Sequence, residues 1–192
     1  MNWKEELKKL EDAREWDEAI AFMQKVIDKN PDNMDAYMFM NYLLINLLVE
    51  DPDRDISYVA KYAPLAKWYF DESYAKFSEN AEYLYITATI GVIGDFFWKL
   101  DLKDIDKMFR KANILASNNL VYKDLYYYDL RSQNAQHPEL IAYCKMILSE
   151  NSPIKEQFQD KGSLGKYIIG LKEGWCEGVL YNASKLSTHQ RK

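Results

Sequence analysis

Few residues in this 192-residue chain are of the types that metal, nucleophilic or phosphate chemistry needs. The two histidines are His137, directly before Pro138, and His189, close to the end of the sequence. Neither has the ligand spacing on one helix face that a metal site requires. Cys144 and Cys176 are far apart in sequence and lack metal-type spacing, so they read as free thiols of a reducing compartment. The cation nearest Cys144 is Lys145, which points elsewhere on a helix. Cys144 therefore reads as a buried small hydrophobe and not as an activated nucleophile. Gly162-Ser163-Leu164-Gly165-Lys166 is too short for a phosphate loop and has no strand before it, so a turn ahead of a helix is expected. Asn182-Ala183-Ser184 is formally a glycosylation sequon, of little weight without a secretory leader. The acidic pairs Asp51/Asp53 and Asp104/Asp106 fall near expected helix starts, where they favour the helix dipole without any acid–base role. No catalytic residue, metal or cofactor is expected.

The bulk composition is that of a folded helical protein. Hydrophobic residues make up 48% and charged residues 29%, the balance of a globular chain. With 7 Gly and 5 Pro, breakers are too few for a many-turned β fold. The net charge is -5 and the pI about 5.2, with no basic block, which argues against nucleic acid as a partner. Thr188 to Lys192 reads as a frayed polar tail. The opening residues, Met1-Asn2-Trp3-Lys4-Glu5-Glu6, are charged at once and do not read as a secretory signal. The apolar stretches Ala36 to Val49 and Leu84 to Gly94 fall short of the ~18 residues a membrane span needs. They read as buried helices. A cytoplasmic chain with no membrane partner is expected.

Periodicity and breakers place helices near 2–13, 16–29, 34–49, 55–78, 81–98, 102–116, 119–132, 137–150 and 164–184. Within them a pattern recurs. Ala19, Ile20, Met23, Val26 and Ile27 follow helical spacing after Trp16, and Asn30-Pro31-Asp32 stops the helix. Trp3, Leu7 and Leu10 form the apolar face of the helix before it. Weaker copies are Ile105, Phe109 and Ala112 before Ser117-Asn118-Asn119, and Leu140 to Leu148 before Asn151-Ser152-Pro153. Ile105 and Leu140 are 35 residues apart. A middle copy fits at Ala66, Phe70 and Ser73 if Asp51 to Ala63 is an insertion, with Pro64 beginning or kinking its helix.

This pattern resembles the tetratricopeptide repeat, whose period is roughly 34 residues. Ala19, Met23, Val26 and Pro31 stand at its small, large, small and proline positions, Val26 being oversized. Trp3 stands where the family's first helix carries tryptophan. The resemblance implies an all-α fold of antiparallel helix hairpins stacked as an α-solenoid. It covers residues 1–153, and residues 154–192 would form a C-terminal capping helix and polar tail.

The resemblance also implies a concave groove, lined by the first helix of each hairpin, that holds a protein or peptide partner. Carried over by position, its lining is Lys4 and Lys8, then Met38, Tyr42 and Ile45, then Ile90, Phe97 and Trp98, then Asp124, Tyr128 and Arg131. Some members grip a terminal carboxylate through Lys and Asn in this groove. Lys8 and Phe39 replace two of the asparagines, so that clamp is not expected.

Aromatic residues bear on the same surface. The chain has 15 Tyr, 8 Phe and 5 Trp. Trp68-Tyr69-Phe70, Phe96-Phe97-Trp98 and Tyr126-Tyr127-Tyr128 cannot turn all their rings to one core. Some rings must line a groove, reach another subunit, or cover the chain's own insertion. The leading expectation is a protein-interaction scaffold. The alternatives are a small-ligand sensor or enzyme with an enclosed aromatic pocket, and a subunit self-associating through Trp175, Leu180 and Tyr181.

Overall fold

The computed structural model describes residues 2–50 and 56–189, and these are helical with no strand among them. The helices are α1 (Trp3–Ala13), α2 (Trp16–Lys29), α3 (Met34–Val49), α4 (Ile56–Phe77), α5 (Ala81–Trp98), α6 (Leu102–Leu115), α7 (Asp124–Gln133), α8 (Pro138–Ile147), α9 (Pro153–Phe158) and α10 (Gly162–His189). A 3-10 turn, Leu120–Tyr122, precedes α7. Two compact units emerge, Met1–Ser117 and Asn118–Lys192. The expected boundary at 153/154 falls at the start of α9, inside the second unit.

Side-chain caps set where the helices begin. Asn2, Asn33 and Asn80 accept the Lys4, Ala36 and Tyr83 amides, and Asn119 accepts that of Val121. Asp101 and Asp104 exchange such bonds in a capping box at α6. Each satisfies an amide that lacks an intrahelical acceptor. Pro138 and Pro153 stand in the first turns of α8 and α9, where a missing N–H costs nothing. Two helices end on left-handed residues that are not glycine: Arg14 (φ 57) and Lys99 (φ 56). Beyond them the Glu15 and Leu100 amides return to the Leu10 and Asp95 carbonyls.

In the first unit α1 packs on α2, α2 on α3, α3 on both α4 and α5, α4 on α5, and α5 on α6. Helices α3 and α5 are apolar on almost every side; α3 is enclosed accordingly, and α5 is enclosed over its first half. No helix among the described residues is long and apolar enough to cross a membrane. Rings tie the elements together. Trp3 meets Phe39 edge-on at 5.1 Å, Phe70 stacks on Trp98 at 4.7 Å, and Tyr85 meets Phe109 at 5.7 Å. Where α3, α4 and α5 meet, Asn41 donates to the Ser73 hydroxyl at 3.0 Å, and Ser73 and the Tyr83 hydroxyl are 2.7 Å apart.

Two expectations narrow. Pro64 does not begin its helix: it lies inside α4, is exposed there, and removes the N–H that would bond the Ala60 carbonyl. Of the supposed insertion, residues 51–55 lie outside the described residues, and the rest belongs to α4.

In the second unit α8 packs on α7, α9 and α10, and α10 also packs on α9. The segment read as a plain turn is the first turn of α10. Gly162 opens it with φ 51, and a Cβ at Gly165 would stand 2.0 Å from the Phe158 carbonyl oxygen. Both glycines serve this tight α9–α10 junction.

Candidate functional site

The expected groove residues of the first unit divide into an inner and an outer set. Met38, Ile45, Ile90 and Trp98 are buried in the core, so they do not line an open surface. The reason is the close approach of α5 to α3, at which Gly94 faces Ile45, while Gly91 admits Trp98 and Ile105. The Trp98 indole N–H, stacked beneath Phe70, has no hydrogen-bond partner. Tyr42 and Phe97 are half-buried, and Phe97 lies edge-on to Phe96 at 5.4 Å. Lys4 bonds Asp35 at 2.7 Å, and its ammonium lies 5.5 Å from the Trp3 and Phe39 ring centres. Lys8 is exposed and pairs with Asp12 one turn on.

The second-unit residues Asp124, Tyr128 and Arg131 do come together, on one side of α7 and against α10. Lys172 of α10 donates to the Asp124 carboxylate and, at 3.0 Å, to the Tyr143 hydroxyl. The Tyr143 hydroxyl is 3.5 Å from the same carboxylate, and its ring stacks on Tyr127 at 3.7 Å. Burial, with the Asp124 charge adding to it, pushes the Tyr143 phenol well up, so it stays protonated and donates. Tyr128 packs on Trp175 at 4.8 Å, and the Arg131 guanidinium lies 5.9 Å from the centre of that indole. Asp124 and Tyr143 give this enclosed lysine the polar partners its burial requires. The group joins α7, α8 and α10 through polar bonds.

Sequence reasoning missed Lys172. Its signal was present: Leu164, Ile168, Lys172 and Cys176 recur every fourth residue, and all four are buried. A lysine inside an apolar stripe announces a buried partner. His137 caps the start of α8 with its Nδ1 unpartnered, and the side chain of His189 lies outside the described residues. Among the described residues, no three His, Cys, Asp or Glu are placed to hold a metal ion.

The aromatic triplets separate as their helical spacing demands. Tyr69 and Phe70 point inward while Trp68 is 54% exposed. Trp98 is buried and Phe96 is 81% exposed; Tyr127 is buried between exposed Tyr126 and Tyr128. Val92, one turn before Phe96 on the same face of α5, is also exposed, as is Leu102 just past the α5–α6 turn. Three large apolar side chains thus stand in solvent around one end of this hairpin.

No protein-family model matches the chain, and no curated protein or solved structure is significantly similar to it.

Proposed function

We propose that the chain is a protein-binding module built from tetratricopeptide-like hairpins, with a contact surface on its first unit that includes Val92, Phe96 and Leu102. The carrying observation is the exposure of Val92 and Phe96 one turn apart on α5, with Leu102 exposed just past the α5–α6 turn, since exposed apolar groups clustered on a surface mark interaction sites. A partner segment with an apolar face is the matching chemistry. The hairpin stack has support in alternate contacts. Helix α1 reaches α3 through Trp3–Phe39 and Lys4–Asp35, and α3 reaches α5 through Ile45 and Gly94. Helix α2 reaches α4 through Asp17–Lys61. The two free, buried thiols suit the cytoplasm. The enclosed-pocket reading has less support, because the polar group around Lys172 is bonded within itself.

The test immobilises the wild-type chain, a Val92→Ser/Phe96→Ser double variant and an Ile114→Ser control on beads in native lysate. Ile114 is exposed and apolar but lies at the far end of α6. Selective loss of bound proteins by the double variant alone supports the reading. Equal capture by all three, with unchanged circular dichroism, overturns it. Sedimentation of the wild-type chain shows whether a second copy is the species bound.

A further inference from the structure

Cys144 on α8 and Cys176 on α10 lie on two helices that pack on each other. Both are fully buried and neither is in a disulfide. Cross-helix bonds fix the register between α8 and α10. Gln136, just ahead of α8, donates to the Ala183 carbonyl at 3.0 Å, and Tyr143 receives Lys172 at 3.0 Å. Numbers therefore rise along α8 as they fall along α10. Cys144 follows Tyr143 directly, and Cys176 stands one turn beyond Lys172 on the same buried stripe. The two thiols are thereby brought against each other in the α8–α10 interface. Their mutual influence agrees: the Cys176 thiol holds Cys144 below the usual thiol range, helped by Arg131 and Lys172. Contact with Cys144, and burial, push Cys176 up. The two thiols thus share a hydrogen bond across the α8–α10 interface, an arrangement from which attack by one sulfur and resolution by the other can follow.

We propose that Cys144 and Cys176 form a reversible intramolecular disulfide on exposure to a hydroperoxide, fastening α10 to α8. The Cys144 thiolate attacks the peroxide oxygen, forming an S–O bond as the O–O bond breaks. The departing hydroxide takes a proton and leaves as water, and Cys144 is now a sulfenic acid. The Cys176 sulfur attacks that sulfur, the S–S bond forms, and the hydroxyl leaves as a second water carrying the Cys176 proton. Two thiols are oxidised, one peroxide is reduced to two waters, and an external dithiol reverses the bond.

The test treats the purified chain with hydrogen peroxide, a probe small enough to enter a packed interface. It then blocks remaining thiols with a maleimide after denaturation. Mass spectrometry without reductant is expected to find one peptide pair joining Cys144 to Cys176, with maleimide labelling of both lost together and restored by dithiothreitol. The bond is expected to form faster in the folded chain than in urea and to raise the unfolding temperature. Cys176→Ser is expected to leave Cys144 without the link, and the wild-type peptide map stands on its own should that variant fail to fold. Full labelling of both thiols after peroxide would overturn the proposal. So would sulfinic acid or interchain bonds without the internal link, or equal rates in the folded and unfolded chain.

Discussion

The Ile45 side chain on α3 fills the space that any side chain at Gly94 on α5 would need. A Cβ built on Gly94 would stand 2.8 Å from Ile45 Cδ1 and 2.9 Å from its Cγ1 and Cγ2. Cδ1 is the end of the side chain, but Cγ1 and Cγ2 branch directly from Cβ and cannot both swing away from Gly94 by rotation about χ2. Gly94→Ala is expected to destabilise the chain by about 1–3 kcal/mol in urea unfolding. Adding Ile45→Ala is expected to recover part of that loss, as contacting sites do. Gly170 is the contrast: nothing lies within 4 Å of a Cβ there. Gly170→Ala is expected to stabilise by roughly 0.5–1 kcal/mol. Equal effects at the two glycines would show that α5 backs away from α3 freely.

Asp124 and Lys172 depend on one another unequally, because the lysine side chain is 7% exposed and the carboxylate 19%. Asp124→Ala strands an enclosed ammonium and is expected to cost about 3 kcal/mol. Lys172→Met leaves a carboxylate that water reaches, and is expected to cost less. Replacing both, Asp124→Leu with Lys172→Met, is expected to lie nearer wild type than Asp124→Ala alone. Denaturant midpoints of the three variants check the order.

The Tyr37–Glu72–Lys76 group links α3 to α4 and gives stability a pH dependence at both ends. Glu72 accepts from the Tyr37 hydroxyl at 2.7 Å and from Lys76 at 2.8 Å. Burial opposes ionisation of Glu72, but these two donors outweigh it and hold its carboxyl below the ordinary range. Lys76 is held above its ordinary range by Glu72 and Tyr37. A lowered carboxyl contributes stability above its unfolded pKa and loses it as pH falls through the folded value. A raised lysine contributes below its unfolded pKa and loses it as pH rises through the folded value. Glu72→Gln is expected to flatten the acid limb of a stability–pH curve by no more than about 1 kcal/mol, the pair being partly exposed. An acid limb unchanged by the substitution would mean that other carboxylates set it.

Lys99 ends α5 in the left-handed conformation, which costs an L-residue with a Cβ roughly 1–2 kcal/mol. Lys99→Gly removes that strain but frees the unfolded chain. A net gain of about 0.5–1 kcal/mol in thermal unfolding is expected, and Arg14→Gly at the end of α1 is expected to behave alike. A loss at both positions would mean that the lysine and arginine side chains contribute more than their backbones cost.

Helices were the most legible part of the sequence, because apolar spacing and Asn, Asp and Pro boundaries are local signals. The stop after Lys29 stands where Asn30-Pro31-Asp32 places it, and α4 ends within a residue of the expected 78. Helix α9 was not legible: six residues between a proline and a glycine turn carry too little periodicity. The groove set was misread in part because position in a repeat does not report how closely neighbouring helices approach. The signal for that was Gly91 and Gly94 inside an otherwise apolar helix, where a missing side chain draws in the next element. The aromatic triplets were legible as a constraint that some rings face outward. Which ring does so depends on helix phase, and that is set by partners distant in sequence.

Among the described residues, four of the five side-chain caps are asparagines, at positions 2, 33, 80 and 119, with Asp101 the fifth. An amide has no proton to gain or lose across the range in which carboxylates, imidazoles and amines titrate. Acid that severs Glu72–Lys76 therefore leaves these helix starts intact. The acid form of this chain is expected to lose its side-chain order while keeping its helical register. It would return to neutral pH with the boundaries of its elements already drawn, and only their packing left to find.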